Sequence, residues 1–280
     1  MSVNVTAQDV AKLRAQTGAG MADCRKALLE SEGDFEKAID YLRKKGQKVA
    51  ANRSDREAKE GVVVAKANGN YGIIINLSSE TDFVSKNAEF VAFANELADI
   101  ALQNKPADIE AFKALPMGSS IVADRLMEMV AKIGEKIDVT RYEQVNADTV
   151  VPYIHGNYRI GVLVGMNKAS NDGITGAGKD VAMQIAAMNP LGLNENSIAP
   201  EVIERERNIV MDQMKADPKM AGKPEEMLTK VAEGKLNAFF KENTLMAQPF
   251  VKDPGLTVSN YLKGVDNGLN ITEFKRVAIG

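Results

Sequence analysis

Apolar positions in the first fifty residues recur at helical spacing. Val10 and Leu13 follow Thr6, which forms a capping-box pattern with Asp9 three residues on. Thr17-Gly18-Ala19-Gly20 breaks that helix, and Cys24, Ala27 and Leu28 at i, i+3 and i+4 predict a second. Gly33 stops it and Asp34 is placed to cap a third. Phe35, Ala38, Ile39 and Leu42 give that third helix one apolar face, with Gly46 as its natural end. Residues 1–46 thus read as a three-helix module with a small core, a unit that more often binds another protein than houses chemistry.

After Gly61 the period changes. Val62-Val63-Val64 and Ile73-Ile74-Ile75 are β-branched runs separated by the turn signal Asn68-Gly69-Asn70. Helical spacing returns over 88–102, in Phe90, Val91, Ala94, Leu97, Ala98 and Leu102, and again over about 119–133, ending at Gly134. The pattern then recurs 87 residues on: Gly69-Asn70-Tyr71-Gly72-Ile73 is answered by Gly156-Asn157-Tyr158-Arg159-Ile160. Both copies run from a hairpin into a helix, with Val91-Ala92 answered by Val181-Ala182, which predicts a duplicated unit and an α+β fold. The first copy alone carries Glu80-Thr81-Asp82-Phe83-Val84 between strand and helix. Residues 200–236 interrupt the second copy as a two-helix hairpin. Pro200 opens it, Val202, Ile209, Val210 and Met214 form a narrow stripe, and Gly222-Lys223-Pro224 makes the turn. Met227, Leu228, Val231 and Leu236 mark the return helix, and a helix near 257–263 and a strand at 271–279 close the chain. The expected organisation is a module at 1–46, a charged linker at 47–60, core subdomains at 61–140 and 141–280, and an insertion at about 190–240.

Composition removes several classes of function. Of 280 residues, 45% are hydrophobic and 26% charged, as in an ordinary globular protein, and no apolar run approaches the length of a membrane helix. The opening Met1-Ser2-Val3-Asn4-Val5 has no basic start and no apolar stretch, so no secretory signal is expected. One cysteine, Cys24, excludes an intrachain disulfide and fits a reducing cytoplasm; one histidine, His155, excludes a two-histidine metal site. No tryptophan and a net charge of −3 give no general nucleic-acid signature. The one basic stretch is 43–59, where seven Lys and Arg face only Asp55 and Glu57. It reads as a solvated linker or as a contact for an acidic partner or RNA phosphate.

Three motifs invite chemistry. Gly173-Ile174-Thr175-Gly176-Ala177-Gly178-Lys179 fits G-x-x-x-x-G-K, but Asp180 stands where the Mg²⁺-ligating hydroxyl belongs, leaving a glycine-rich helix-capping loop as the plain reading. His155 lies before a tight turn with no nucleophile elbow in the sequence, which favours a structural or partner-contacting role. In Thr81-Asp82-Phe83-Val84, either Asp82 caps a helix with Phe83 packed as a staple, or Phe83 is a probe for a partner's helices while Asp82 competes for a polar site.

Thr17-Gly18-Ala19-Gly20-Met21-Ala22-Asp23-Cys24-Arg25-Lys26-Ala27-Leu28 resembles the N-terminal signature of the bacterial elongation factor Ts family. Gly69-Asn70-Tyr71-Gly72-Ile73 with Glu80-Thr81-Asp82-Phe83-Val84 resembles its second signature. Ile133-Gly134-Glu135, His155-Gly156, Arg159-Ile160-Gly161-Val162 and Gln248-Pro249-Phe250-Val251 match in the same order, so the resemblance spans essentially the whole chain. It implies a cytoplasmic guanine-nucleotide exchange factor for elongation factor Tu, with no covalent chemistry, cofactor, metal or nucleotide binding of its own. It further implies that the N-terminal module, similar to a ubiquitin-associated fold, docks on the nucleotide domain of Tu around Met21, Asp23, Arg25 and Lys26. Asp82 and Phe83, within Thr81–Val84, match the pair that wedges near the Mg²⁺ end of the nucleotide site. His155 matches a residue supporting that wedge, and Ile133 and Gly134 match a further contact. The hairpin matches the family's coiled coil, which serves dimerisation in some members and Tu contact in others. Many members carry a helical module after the last core strand, whereas this sequence ends at Gly280, so that module's contacts are expected to be absent or supplied elsewhere. The loop over 167–178 is expected to be long and glycine-rich. A phosphate-handling enzyme built on 173–179 and a ubiquitin-associated-like adaptor are the competing classes.

Overall fold

The computed structural model describes residues 4–218, 220 and 223–280; Met1-Ser2-Val3 and the turn residue Gly222 lie outside the described residues. Three helices open the chain: α1 (Ala7–Thr17), α2 (Met21–Glu30) and α3 (Phe35–Ala51). The Thr6–Asp9 capping box forms, Gly18 closes α1 at φ 69°, and the Asp34 carboxylate accepts the Lys37 N–H at the start of α3. Val10, Leu13, Cys24, Ala27, Leu28, Ala38 and Leu42 pack as their core.

Gly46 does not end the third helix. It is buried inside α3, and a Cβ there would stand 3.2 Å from the Ala131 Cβ and 3.3 Å from the Met127 carbonyl oxygen. Its role is close approach to a helix of the next unit, which outweighs the roughly 1 kcal/mol helical cost of a glycine.

That unit runs β1 (Glu60–Asn68), β2 (Tyr71–Ser79), α4 (Asp82–Ser85), α5 (Ala88–Asn104), α6 (Ile109–Lys113), β3 (Pro116–Met117), β4 (Ser120–Ile121), α7 (Val122–Ile133) and β5 (Asp138–Asn146). The second runs β6 (Thr149–His155), β7 (Ile160–Met166), α8 (Asp172–Met188), α9 (Pro200–Ala216), α10 (Glu225–Asn243), β8 (Pro249–Phe250), β9 (Asp253–Thr257), α11 (Val258–Val265) and β10 (Ile271–Ala278). This is an α+β architecture. Two antiparallel three-stranded sheets, ordered β1-β2-β5 and β10-β7-β6, use the same connectivity: the second hairpin strand is central and pairs with a late strand.

The sheets lie face to face. Val63, Ala65 and Ile74 meet Val150, Leu163 and Val277 between them. Val62, Val64, Ile73, Ile75 and Leu77 face α5 and α7, while Val151, Val162, Val164 and Met166 face α8 and α11. Burial on both faces explains the unbroken apolar runs, which alternation would have forbidden. Two glycines permit the approach: a Cβ on Gly72 would lie 2.6 Å from Val150 Cγ1, and one on Gly161 would lie 2.6 Å from Val63 Cγ1. Each hairpin turn is also bonded to the other sheet. The Val150 N–H donates to the Gly69 carbonyl at 2.9 Å, and the Val63 N–H donates to the Tyr158 carbonyl at 2.8 Å.

The recurring Gly-Asn-Tyr does not repeat position for position. Gly69-Asn70 makes a two-residue turn and Tyr71 opens β2, whereas Gly156–Arg159 makes a four-residue turn in which Asn157 and Tyr158 take φ of 52° and 68°.

The expected glycine-rich loop at 167–178 is mostly helix. Asn171 caps α8, its side-chain oxygen and its carbonyl taking the N–H groups of Ile174 and Thr175, so these donors are not free to cradle a phosphate. Gly178 packs α8 on the sheet, where a Cβ would come 2.6 Å from Val151 Cγ2. The capping-loop reading is therefore corrected, since the glycines lie within α8 and Asn171 is its cap, and the P-loop that Asp180 argued against does not form. In the inserted hairpin, Val210, Met214 and Ala232 form the seam of α9 and α10, while Val202 and Ile209, expected on the same stripe, face outward. Among the described residues, no helix is long and apolar enough to cross a membrane.

Candidate partner-docking site

Strand β2 ends at Ser79, and two residues later the chain winds into the single turn of α4. A one-turn helix places successive side chains about 100° apart, so neighbours diverge. Val84 turns inward onto the core of the first sheet. Phe83 turns outward and is 82% exposed. Packing of Phe83 as a staple, with Asp82 as the cap, is thereby overturned: Thr81 holds the N-cap position, and Asp82 is the first helical residue, paired at 2.6 Å with Lys86 four residues on. That ion pair holds the Asp82 carboxyl below the ordinary carboxylate range.

The base of this turn is held by two carboxylates. Glu135 accepts the backbone N–H groups of Glu80 (3.1 Å) and Thr81 (3.0 Å) on one oxygen and the Thr81 hydroxyl (2.7 Å) on the other. Glu80 in return accepts the Lys136 N–H at 2.6 Å, Arg53 at 2.7 Å and Arg56 at 3.0 Å. The Lys136 ammonium donates to the carbonyls of Ser54 (2.6 Å) and Arg56 (2.9 Å). Burial alone pushes the Glu80 carboxyl up, but the Lys136 N–H and the two guanidiniums outweigh it and hold its pKa down at about 2. The 43–59 stretch is therefore no free solvated linker: its first part is helix, and Arg53 and Arg56 are committed to Glu80.

The same clamp brings in Ile133 and Gly134. Helix α7 ends at Ile133, half-buried against the core, and Gly134 closes it at φ 81°, handing the chain to Glu135. His155 arrives by another route. It ends β6, exposed, with its Nδ1 3.0 Å from the Tyr153 hydroxyl. Its turn is bonded to β1, and Arg159 lies 3.6 Å from the Glu60 carboxylate. Glu60 in turn pairs in register with Ser79, so this turn sits at the end of the first sheet from which α4 springs. Among the described residues, no hydrogen bond joins His155 to Asp82 or Phe83.

On α2, Met21 (47% exposed) and Arg25 stand one turn apart on the outer face with Lys26 beside them, while Asp23 is drawn into an ion pair with Lys45 of α3. Leu29, 49% exposed, extends the Met21–Arg25 row by one more turn. The sequence reading missed it; an apolar residue four positions beyond Arg25, off the buried Cys24–Ala27–Leu28 face, was the available signal. It also passes over Glu80, Glu135, Arg53 and Arg56 as site residues, although Glu80 lies in the second signature and Glu135 in the Ile133-Gly134-Glu135 match. The α2 row and α4 share no hydrogen bond. The two are linked through the packing of α3 and of the α1–α2 turn on α7 and through the Arg53–Arg56 segment.

A phenylalanine ring held in water on a clamped turn is accessible to a partner. Among the described residues, no cluster of three or more His, Cys, Asp or Glu is placed to hold a metal ion. The family model described as Elongation factor TS matches residues 80–280. Elongation factor Ts of Amoebophilus asiaticus is 48% identical over 278 residues, and that of Christiangramia forsetii 49% over 278, each match covering 99% of both chains. Elongation factor Ts of Flavobacterium psychrophilum is 47% identical over 280 residues, again 99% of both. The chain belongs to the elongation factor Ts family, and its role is that of a translation elongation factor.

Proposed function

We propose that this protein stimulates GDP release and GTP exchange on elongation factor Tu in the cytoplasm, performing no covalent chemistry and binding no nucleotide itself. The observation that carries the reading is the exposure of Phe83 on a turn whose base is fixed. The ring wedges between helices of the GTPase's nucleotide domain, and Asp82, exchanging Lys86 for a polar partner there, disturbs the shell of the Mg²⁺. Thr81 and Val84 hold the turn, His155 supports it from the second sheet, and Ile133 and Gly134 add a contact beside it. The three-helix module, residues 1–46 with the overrunning end of α3, docks through Met21, Asp23, Arg25 and Lys26, and Leu29 extends that surface. The core divides into subdomains at 61–140 and 141–280 after a link at 47–60, and the inserted hairpin serves dimerisation or a further Tu contact.

The mechanism is thermodynamic coupling. A factor that binds the nucleotide-free GTPase more tightly must weaken GDP by the same factor that GDP weakens it. Mg²⁺ bridges protein and phosphates, so loss of its ligands removes much of the nucleotide's hold. Stopped-flow release of fluorescent GDP from elongation factor Tu, with and without this protein, tests the proposal. Strong acceleration is expected; an unchanged release rate at saturating protein contradicts it.

A further inference from the structure

We infer that Glu135 and Glu80 are positioning residues for exchange: their reciprocal carboxylate-to-backbone clamp holds the α4 turn so that Phe83 meets the GTPase partner already aimed. This inference rests on the exchange reading above and adds residues to it. The ring itself has almost no support, being 82% exposed on a four-residue helix. Such a side chain cannot be aimed by its own contacts. Insertion of a flexible turn would also lose ordering entropy at the moment of binding.

The clamp removes that cost in advance. Glu135 takes both N–H groups and the hydroxyl that lead into α4, so the backbone of Glu80-Thr81 is fixed just before the wedge. Glu80 reaches the opposite way, to the Lys136 N–H, so each carboxylate locks the other's loop. Arg53 and Arg56 tie the same knot to the segment that follows α3. The docking module and the wedge therefore share one polar joint, and a partner gripped by the module meets the ring at a set position. The contacts of both carboxylates are to the backbone and side chains around α4, so they act through it.

The substitutions follow from hydrogen-bond roles. In Glu135→Gln the amide oxygen can still accept the two N–H groups while the amide nitrogen donates to the Thr81 hydroxyl, so the clamp survives. Glu135→Ala leaves all three donors without it. Exchange is measured as the maximal rate of fluorescent GDP release and as the factor concentration giving half that rate. Glu135→Ala is expected to lower the maximal rate about ten- to a hundredfold, the scale of a misplaced reacting group, with half-saturation shifted by less than about threefold. Glu135→Gln is expected within about threefold of wild type on both. In a Phe83→Ala background, Glu135→Ala is expected to add nothing, since the residue it aims is gone.

Wild-type rates in Glu135→Ala overturn the inference. So does a loss that adds in full to that of Phe83→Ala, or one that appears in half-saturation alone, because either marks a general structural role. Should Glu135→Ala melt below the assay temperature, Thr81→Val, which removes one of the three bonds, carries the same expectations in smaller degree. If Phe83→Ala alone leaves exchange unchanged, it is the wedge reading that fails, and the failure is visible separately.

Discussion

The two sheet units share a connectivity, a glycine at the inter-sheet contact and a turn bonded to the opposite sheet, and both bury stacked aromatic pairs, yet the first alone also holds a phenylalanine in water. In the second unit Phe250 is 3% exposed and stacks on Tyr261 with ring centroids 4.1 Å apart, while the Tyr261 hydroxyl donates to Asp180 of α8. In the first, Phe83 stands 82% in water. The exposure of Phe83 arises in the few residues after the central strand. Chain leaving β7 crosses to the Asn171 cap and enters the long α8. Chain leaving β2 is caught by Glu135 and turned into α4 before α5 begins. On a shared connectivity, the first unit thus presents an exposed turn by diverting one connection, with the sheet that supports it left intact.

Substitutions can break that contrast or sharpen it. Phe250→Ala removes a buried, stacked ring and is expected to cost about 3–5 kcal/mol of folding stability, whereas Phe83→Ala is expected to change stability by about 0.5 kcal/mol or less; denaturant unfolding of the two variants side by side measures both. Similar losses in the two would remove the distinction. Next in size, Gly72→Ala and Gly161→Ala each press a methyl into a side chain of the opposite sheet at 2.6 Å. Each is expected to cost about 1–3 kcal/mol, and near-equal values from the same unfolding experiment would mark the two sheets as equivalent halves of one interface.

A further effect is set by pH. The Glu80 carboxyl lies near 2 in the folded protein against 4.5 ordinarily, so between these values the unfolded chain binds the extra proton. Its contribution is therefore complete above about pH 4.5 and is lost as pH falls toward 2. The stability difference between wild type and Glu80→Gln should stay constant from pH 8 to 5 and narrow below 4.5; a difference that narrows already between pH 8 and 6 would assign it to another group. Smallest of all, Lys86→Ala removes only the exposed partner of Asp82. It is expected to leave thermal unfolding indistinguishable from wild type.

Much of this was legible in the sequence, and the exceptions share a cause. The caps at Thr6 and Asp34, the hairpin signals and the α5 stripe are local patterns, and they formed as read. Gly46 reads locally as a helix end and Gly178 as part of a loop, and Gly72 carries no local signal, because what fixes all three is the approach of a distant helix or sheet. Phe83 itself was found as part of a signature, but its exposure was not decidable: a staple and a probe share one sequence, and only the fold chooses between them. The basic run at 43–59 reads as solvated because its anion, Glu80, lies more than twenty residues away and is brought near by the β1–β2 register, which sets Ser79 opposite Glu60, together with the α3–α7 packing.

The central claim is that Phe83 acts on a partner and contributes little to its own fold. GDP release from elongation factor Tu, followed for wild type and Phe83→Ala at saturating concentration and paired with melting curves of the same preparations, tests it most directly. The account predicts a release rate reduced about a hundredfold or more, equivalent to about 2.8 kcal/mol, at an unchanged melting temperature. Full exchange activity in a folded Phe83→Ala protein, or a melting temperature that falls together with the rate, would contradict it.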